Sequence, residues 1–163
     1  MKSRKSIRLN AYDYTRVGSY FITACVLKHH CCFGYINDEK MIYNQYGNIA
    51  VEQFIWLSEY YSYVDVKIFT VMPNHVHAII DIKSEKSGQS RLSLSQLIGA
   101  YKTRVSASIH KLGFTEFAWQ RSFYDHIIRN NYSYENIAEY IKSNPSNWSK
   151  DRFHKNNPPD SHV

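Results

Sequence analysis

Two histidines one residue apart, His75 and His77, follow directly on Met72-Pro73-Asn74. In an extended chain, side chains two positions apart leave the same face, so the two imidazoles would stand side by side. Paired imidazoles are common protein ligands for a divalent metal. A zinc peptidase helix would place its histidines four apart with a glutamate next to the first. Here the spacing is two and the neighbour is Asn74, so that class is disfavoured. Two ligands do not complete a metal site, and a core histidine beside one that bonds the turn would look the same in sequence.

The flanking segments supply the elements that must hold this pair. Val64, Val66, Ile68, Thr70 and Met72 alternate with Asp65, Lys67, Phe69 and Val71, which is a strand pattern. Pro73-Asn74 is a turn signal, and residues 75–82 read as the partner strand, which sets the histidines beside a hairpin turn. Residues 18–26 are aromatic and β-branched, a further strand. Between them, Tyr46, Ile49, Ala50, Phe54 and Leu57 recur at helical spacing across residues 43–60. Residues 83–90 are polar and contain Gly88, as expected of a mobile loop.

After that loop, Ser93 and Gln96 have capping-box spacing. Leu94, Leu97, Ile98, Tyr101, Val105 and Ile109 mark the helix that follows, with Lys102, Arg104 and Lys111 on its other face. Residues 117–128 read as a fourth strand. Ser133 can cap a third helix with Ile137, Tyr140 and Ile141, ending near Pro145 because the residue before a proline is steered away from helical geometry. Beyond Trp148 the chain is polar with two prolines and is expected to fray. The order predicts an α+β domain over residues 1–150 and a polar C-terminal tail over 151–163. The architecture is ferredoxin-like, or RRM-like: a four- to five-stranded antiparallel sheet with helices packed on one face and the other face open to a ligand.

Fourteen tyrosines and a net charge of +6 stand out in 163 residues. Cations interleaved with rings suit nucleic acid, and equally suit a solvated basic surface. Cys25, Cys31 and Cys32 are odd in number and lack paired spacing, which argues against a disulfide framework or a cysteine zinc site and fits a reducing compartment. Residues 1–8 are basic without the apolar run of a signal peptide, and nowhere do eighteen apolar residues follow one another. The expectation is a cytoplasmic protein with no membrane partner.

At this point three blocks carry a family resemblance. Pro73-Asn74-His75-Val76-His77 resembles the histidine–hydrophobe–histidine motif of the HUH single-strand DNA endonucleases. Trp119-Gln120-Arg121-Ser122-Phe123-Tyr124-Asp125-His126-Ile127-Ile128-Arg129 resembles a second block of one branch, and Tyr140-Ile141-Lys142-Ser143-Asn144-Pro145 with Trp148 a third. That branch is the REP-associated tyrosine transposases, relatives of the IS200-type one-tyrosine transposases. The resemblance runs from about residue 9 to 148.

The resemblance implies an enzyme that nicks and rejoins single-stranded hairpin DNA through a 5′-phosphotyrosine. Tyr124 and Tyr140 compete for the nucleophile, and the family pattern assigns it to Tyr140, with His75 and His77 as the other catalytic residues. Asn144, one helical turn on, takes the place of the third metal ligand. Two imidazoles and a carboxamide oxygen suit Mg²⁺ or Mn²⁺. Trp119, Phe123 and Tyr124 would stack on bases, with Phe123 the most core-like. Arg121, His126 and Arg129 would meet phosphates, with Lys102 and Arg104 as weaker DNA contacts. Relatives of the IS200 type form dimers that pair one subunit's tyrosine with the other's histidines, so a homodimer hinged around residues 130–132 is open. The competing reading is a nucleic-acid-binding regulator on the same fold with catalysis lost. A replication initiator or relaxase is disfavoured by the short chain and single tyrosine.

Overall fold

The computed structural model describes residues 13, 17–84 and 90–156. The strands are β1 (Gly18–Cys25), β2 (Gly34–Asn37), β3 (Lys40–Tyr43), β4 (Val64–Val71), β5 (His75–Ile82) and β6 (Tyr124–Ile128). The helices are α1 (Gln45–Tyr60), α2 (Leu94–Lys111) and α3 (Asn131–Ser143), with short 3-10 turns at Leu27–His29 and Trp148–Lys150. The main sheet is antiparallel throughout, in the order β4-β5-β1-β6. This is the split arrangement of two interleaved βαβ units, the ferredoxin-like order expected from the sequence.

Strand alternation divides the sheet into two unlike faces. Tyr20, Ile22 and Ala24 of β1 and Val76, Ala78, Ile80 and Ile82 of β5 are buried in the large core beneath α1 and α2. The helices meet that face through Phe54 and Leu57 of α1 and Leu94, Leu97, Tyr101 and Val105 of α2. The opposite face carries Phe21 and Thr23 of β1 and His75, His77 and Ile79 of β5, because these positions alternate with the core set. Here α3 packs Ala138 and Ile141 against Ile79 and Ile128, with Phe21 and Ile68 beside them. The second face is thus partly roofed by the helix that carries Tyr140.

Local chemistry explains the ends of these elements. Ser93 and Gln96 form the expected reciprocal capping box, with Gln96 N–H donating to Ser93 Oγ and Ser93 N–H to Gln96 Oε1. At α3 the cap is Asn130 instead of Ser133: Asn130 Oδ1 accepts from Ser133 N–H at 2.8 Å. Asn130 has the extended backbone of an N-cap, φ −153° and ψ 164°, whereas Ser133 already lies within the helix. Pro145 does not pull its neighbour out of the helix, since Asn144 keeps φ −57° and ψ −43°. Asn144 therefore stays one turn beyond Tyr140 on the same helix.

Three expectations change. The β2–β3 hairpin is absent from the sequence reading because its strands are four residues each and its turn lacks glycine. Asp38 and Glu39 instead take positive φ values of 47° and 61°, the backbone a tight two-residue hairpin requires. Gly34 has φ +139°, and a Cβ there would lie 2.0 Å from the Ile42 carbonyl oxygen. Residues 117–128 are not one strand. Only Tyr124–Ile128 pairs, while Phe117, Trp119 and Phe123 fold into the core and Trp119 makes a single bridge to Val26. Nor does the chain fray at Trp148. Residues 151–154 pack back over the histidines, as described below. The loop expected at residues 83–90 falls largely outside the described residues, as does the end of the tail.

Candidate active site

His75 opens β5, immediately after the β4–β5 turn, and the connection between β1 and β2 clamps that turn. Pro73 C=O accepts from the backbone N–H groups of Cys32 and Phe33, and Asn74 C=O from that of Val26 at 2.9 Å. Asn74 itself is fully buried. Its Nδ2 donates to the carbonyls of His29 (3.2 Å) and Phe153 (2.8 Å). Both partners can only accept, so the orientation of the amide is determined. Its Oδ1, 2.8 Å from His75 Nδ1, must then receive that ring's proton. His75 is left with a bare Nε2 lone pair facing the interior of the site.

His77 stands beside it, its Nδ1 2.7 Å from Thr23 Oγ1 across the β1–β5 pair. The two Nε2 atoms are 3.1 Å apart. Asp151, on the chain beyond the second 3-10 turn, brings Oδ2 to 3.6 Å from His75 Nε2. Ligand atoms of His75, His77 and Asp151 lie within 4.8 Å of one another. Asn144 reaches the same place from the end of α3. Among the described residues its buried Oδ1 has no hydrogen-bond partner, although the side chain sits close enough to His75 and Tyr140 to bias their proton affinities.

Burial sets the protonation of these groups. Both rings are completely enclosed, which penalises imidazolium. Desolvation and the neighbouring His77 hold His75 well below the ordinary histidine range. Desolvation and the Arg152 charge bring His77 down to about 3. The pair is neutral at neutral pH, the state in which imidazole is a ligand. Burial raises the Asp151 carboxyl, opposed by the Phe153 backbone N–H and the nearby Arg152 and His154.

Converging lone pairs with an orphaned carbonyl oxygen are unfavourable unless a cation or a proton lies between them. Two nitrogens held about 2.1 Å from one cation at right angles would be about 3.0 Å apart, close to the 3.1 Å found. The donor set of two imidazoles, a carboxamide oxygen and a carboxylate therefore fits a divalent metal.

Tyr140 flanks this cluster from α3. Its ring centroid is 5.4 Å from that of His77 and 6.2 Å from that of Phe21, and 47 % of the residue remains exposed. Burial raises its phenol above the ordinary range and the Asp151 charge adds to this, while the Asn144 amide and the Arg152 cation oppose it. Tyr124 also lies 6.2 Å from the Phe21 ring, and the register sets Thr23 between it and His77.

The residues expected to touch DNA divide into two groups. Arg121, Tyr124, His126 and Arg129 are exposed, and the register places Tyr124 and His126 on the histidine face, opposite Thr23 and Phe21. Phe123 is in the core, as its aromatic strand-like context implied. Trp119 is buried as well and donates its indole N–H to Lys102 C=O, so its ring is structural and does not stand free for a base. Lys102 spends its ammonium on Gln120 C=O at 2.6 Å. Arg104 stacks on Trp56 at 3.9 Å and bonds Gln53, on the helical layer away from the histidines. Charged positions on a helix are indistinguishable in sequence, and packing decides which are already engaged. Thr23, Asp151 and Arg152 escaped the sequence reading. They reach the histidines through strand pairing or through chain return across more than seventy residues, for which local sequence carries no signal.

Residues 23–144 match the family described as Transposase IS200 like. An uncharacterized protein of Haemophilus influenzae strain Rd is 35% identical over 167 residues, covering 93% of each chain. Among solved structures, a REP-associated tyrosine transposase bound to a REP hairpin superposes with a TM-score of 0.59 at 19% identity, over 93% of this chain and 77% of that one. A candidate transposase from Deinococcus radiodurans R1 gives 0.52 at 11% identity, over 83% and 95%. Both structures share the fold of this protein. The chain belongs to the IS200-like transposase family. Among the described residues, no helix is long and apolar enough to cross a membrane.

Proposed function

We propose that this protein is a metal-dependent nuclease and strand transferase that acts on single-stranded, hairpin-forming DNA through a 5′-phosphotyrosine. The observation that carries this reading is the convergence of the His75 and His77 Nε2 atoms with the orphaned Asn144 Oδ1, beside the half-exposed ring of Tyr140. Two imidazole nitrogens and a carboxamide oxygen gathered at one point form a set of metal ligands, which supports an enzyme over a binding module. Hairpin DNA as substrate is supported by the REP hairpin on the structurally similar transposase and by the net charge of +6, which favours a phosphate backbone.

His75, His77 and Asn144 would hold the metal, Mg²⁺ or Mn²⁺, with Asp151 as a further donor. When bound, the ion supplies Lewis-acid polarisation of a non-bridging phosphate oxygen. Asn74 fixes the tautomer of His75, and Thr23 holds the orientation of the His77 ring. The Tyr140 oxygen attacks phosphorus, the bond to the 3′ oxygen breaks, and that oxygen leaves as a hydroxyl after taking up a proton. The phenol loses its proton in the same step. Its raised proton affinity means that it rests neutral, with Asn144 and Arg152 favouring the phenolate as it forms. The phosphotyrosine keeps the energy of the broken bond, so a 3′-hydroxyl of a second strand can reverse the step without ATP. Within one chain Tyr140 lies beside His77, its ring centroid 5.4 Å away, which supports a reading in which a single chain supplies both.

A gel assay with labelled hairpin oligonucleotides tests this, run with Mn²⁺, with Mg²⁺ and with EDTA. A covalent protein–DNA adduct is expected with metal, lost in Tyr140→Phe and kept in Tyr124→Phe. An adduct lost only in Tyr124→Phe would move the nucleophile. Tight hairpin binding without an adduct under either metal would leave a regulator of nucleic acid on a transposase fold.

A further inference from the structure

Beside the histidines, on the same face of the sheet, lies a cleft of about 370 Å³ that the chemistry above does not use. That is within the range of sites that enclose one small ligand, about 300–1,000 Å³. Thr23, whose hydroxyl bonds His77, lies in its wall next to the catalytic cluster. Tyr124 forms one side and is exposed, its ring turned edge-on to Phe21. Phe153 forms the other, and the Arg152 guanidinium lies 4.6 Å over its ring. The same Phe153 ring stacks on His29 at 5.3 Å and 20° and sits 4.6 Å from the His75 ring. The platform is therefore joined to the metal-ligand pair by direct ring contact. Gln120 lines the same cleft, its Nε2 3.3 Å from His29 Nε2.

An aromatic ring, a guanidinium–aromatic stack and a side-chain amide around one slot are the parts that recognise an unstacked base: π faces for the heterocycle and an amide for its edge. A phosphate alone would need no rings, and an apolar ligand would leave Arg152 and Gln120 without a role. We propose that this cleft takes one unpaired nucleobase of single-stranded DNA, from a nucleotide flanking the scissile phosphate, between Tyr124 and the Arg152–Phe153 stack. This rests on the nuclease reading for the position of the phosphate. Tyr140 and Tyr124 each meet the Phe21 ring at 6.2 Å, so the strand would pass over Phe21 from the site of attack to the cleft. The base seated there would set which phosphate reaches Tyr140.

An abasic scan tests the cleft separately from the chemistry. Hairpins with single-stranded flanks carry one abasic residue at each flank position in turn. Binding to the Tyr140→Phe protein in Mn²⁺ is read by fluorescence anisotropy, and adduct formation by the wild-type protein on a gel. One position is expected to weaken binding by about 5- to 150-fold, the usual effect of losing one stacked base. That penalty is expected to shrink when Tyr124→Ala is added and to persist with Tyr124→Phe. A flat profile, or a penalty unchanged by Tyr124→Ala, would overturn the cleft assignment even if the adduct forms. A single sensitive position without any adduct would keep the cleft and overturn the nuclease reading. Failure to bind any of these strands would overturn both.

Discussion

Acidifying the metal-free protein should unfold it through its two site histidines. Both are held neutral by burial, His77 with a folded-state pKa of about 3 against 6.5 for an ordinary histidine, and His75 well below the same value. The folded pKa values are depressed, so the unfolded chain binds more protons and stability falls as pH drops below about 6.5. For His77 the loss continues down to about pH 3. At about pH 5 the neutral His77 ring costs about 2 kcal/mol, from about 1.4 kcal/mol per pH unit. Burial of His75 acts in the same direction and adds to this loss, against a typical domain stability of about 5–15 kcal/mol. Asp151 works in the opposite sense, because its raised folded-state pKa favours proton uptake by the folded protein. Comparison with a variant therefore isolates the histidines. Urea unfolding in EDTA at about pH 7 and about pH 5 provides the measurement, on wild type and on the His75→Gln/His77→Gln double variant. The wild type should lose at least about 2 kcal/mol more than the variant over this interval. Equal losses in the two proteins would refute the assignment of buried, neutral imidazoles.

Three further outcomes follow from the same geometry. Asn74→Leu removes the acceptor of the His75 proton and the donor to the His29 and Phe153 carbonyls; it should cost about 2–4 kcal/mol in urea unfolding and weaken Mn²⁺ binding by about 10- to 100-fold in calorimetry. Asn144→Leu replaces an orphaned buried carbonyl with an apolar group of similar size. It should raise the stability of the metal-free protein by about 1–2 kcal/mol while weakening Mn²⁺ binding, and lower stability would mean that Oδ1 already has a partner. Asp151→Ala should weaken Mn²⁺ binding by at least about tenfold, comparable to the loss of a supporting group at a metal site; unchanged affinity would confine the site to His75, His77 and Asn144.

The sequence by itself determined what depends on local periodicity and local chemistry. Alternation across β4 and β5 showed that His75 and His77 share a face, because the side-chain period of a strand is two. Helical spacing likewise put Asn144 one turn from Tyr140, and the Ser93–Gln96 pair marked the start of α2. Family resemblance in three separated blocks then pointed to the transposases. Local pattern failed where the signal was short or competed: the glycine-free turn at Asp38-Glu39, and Asn130 ahead of Ser133 as a cap. Only the tertiary structure decided the environment of the site. It buried Trp119, tied Lys102 to Gln120 and moved Arg104 to the far layer, because packing determines which charges and rings remain available. It brought Thr23 to His77 by strand register, and it returned Asp151, Arg152 and Phe153 to the histidines from the end of the chain. Such contacts join residues distant in sequence, and their free energy comes from burial and hydrogen bonding that no single segment possesses.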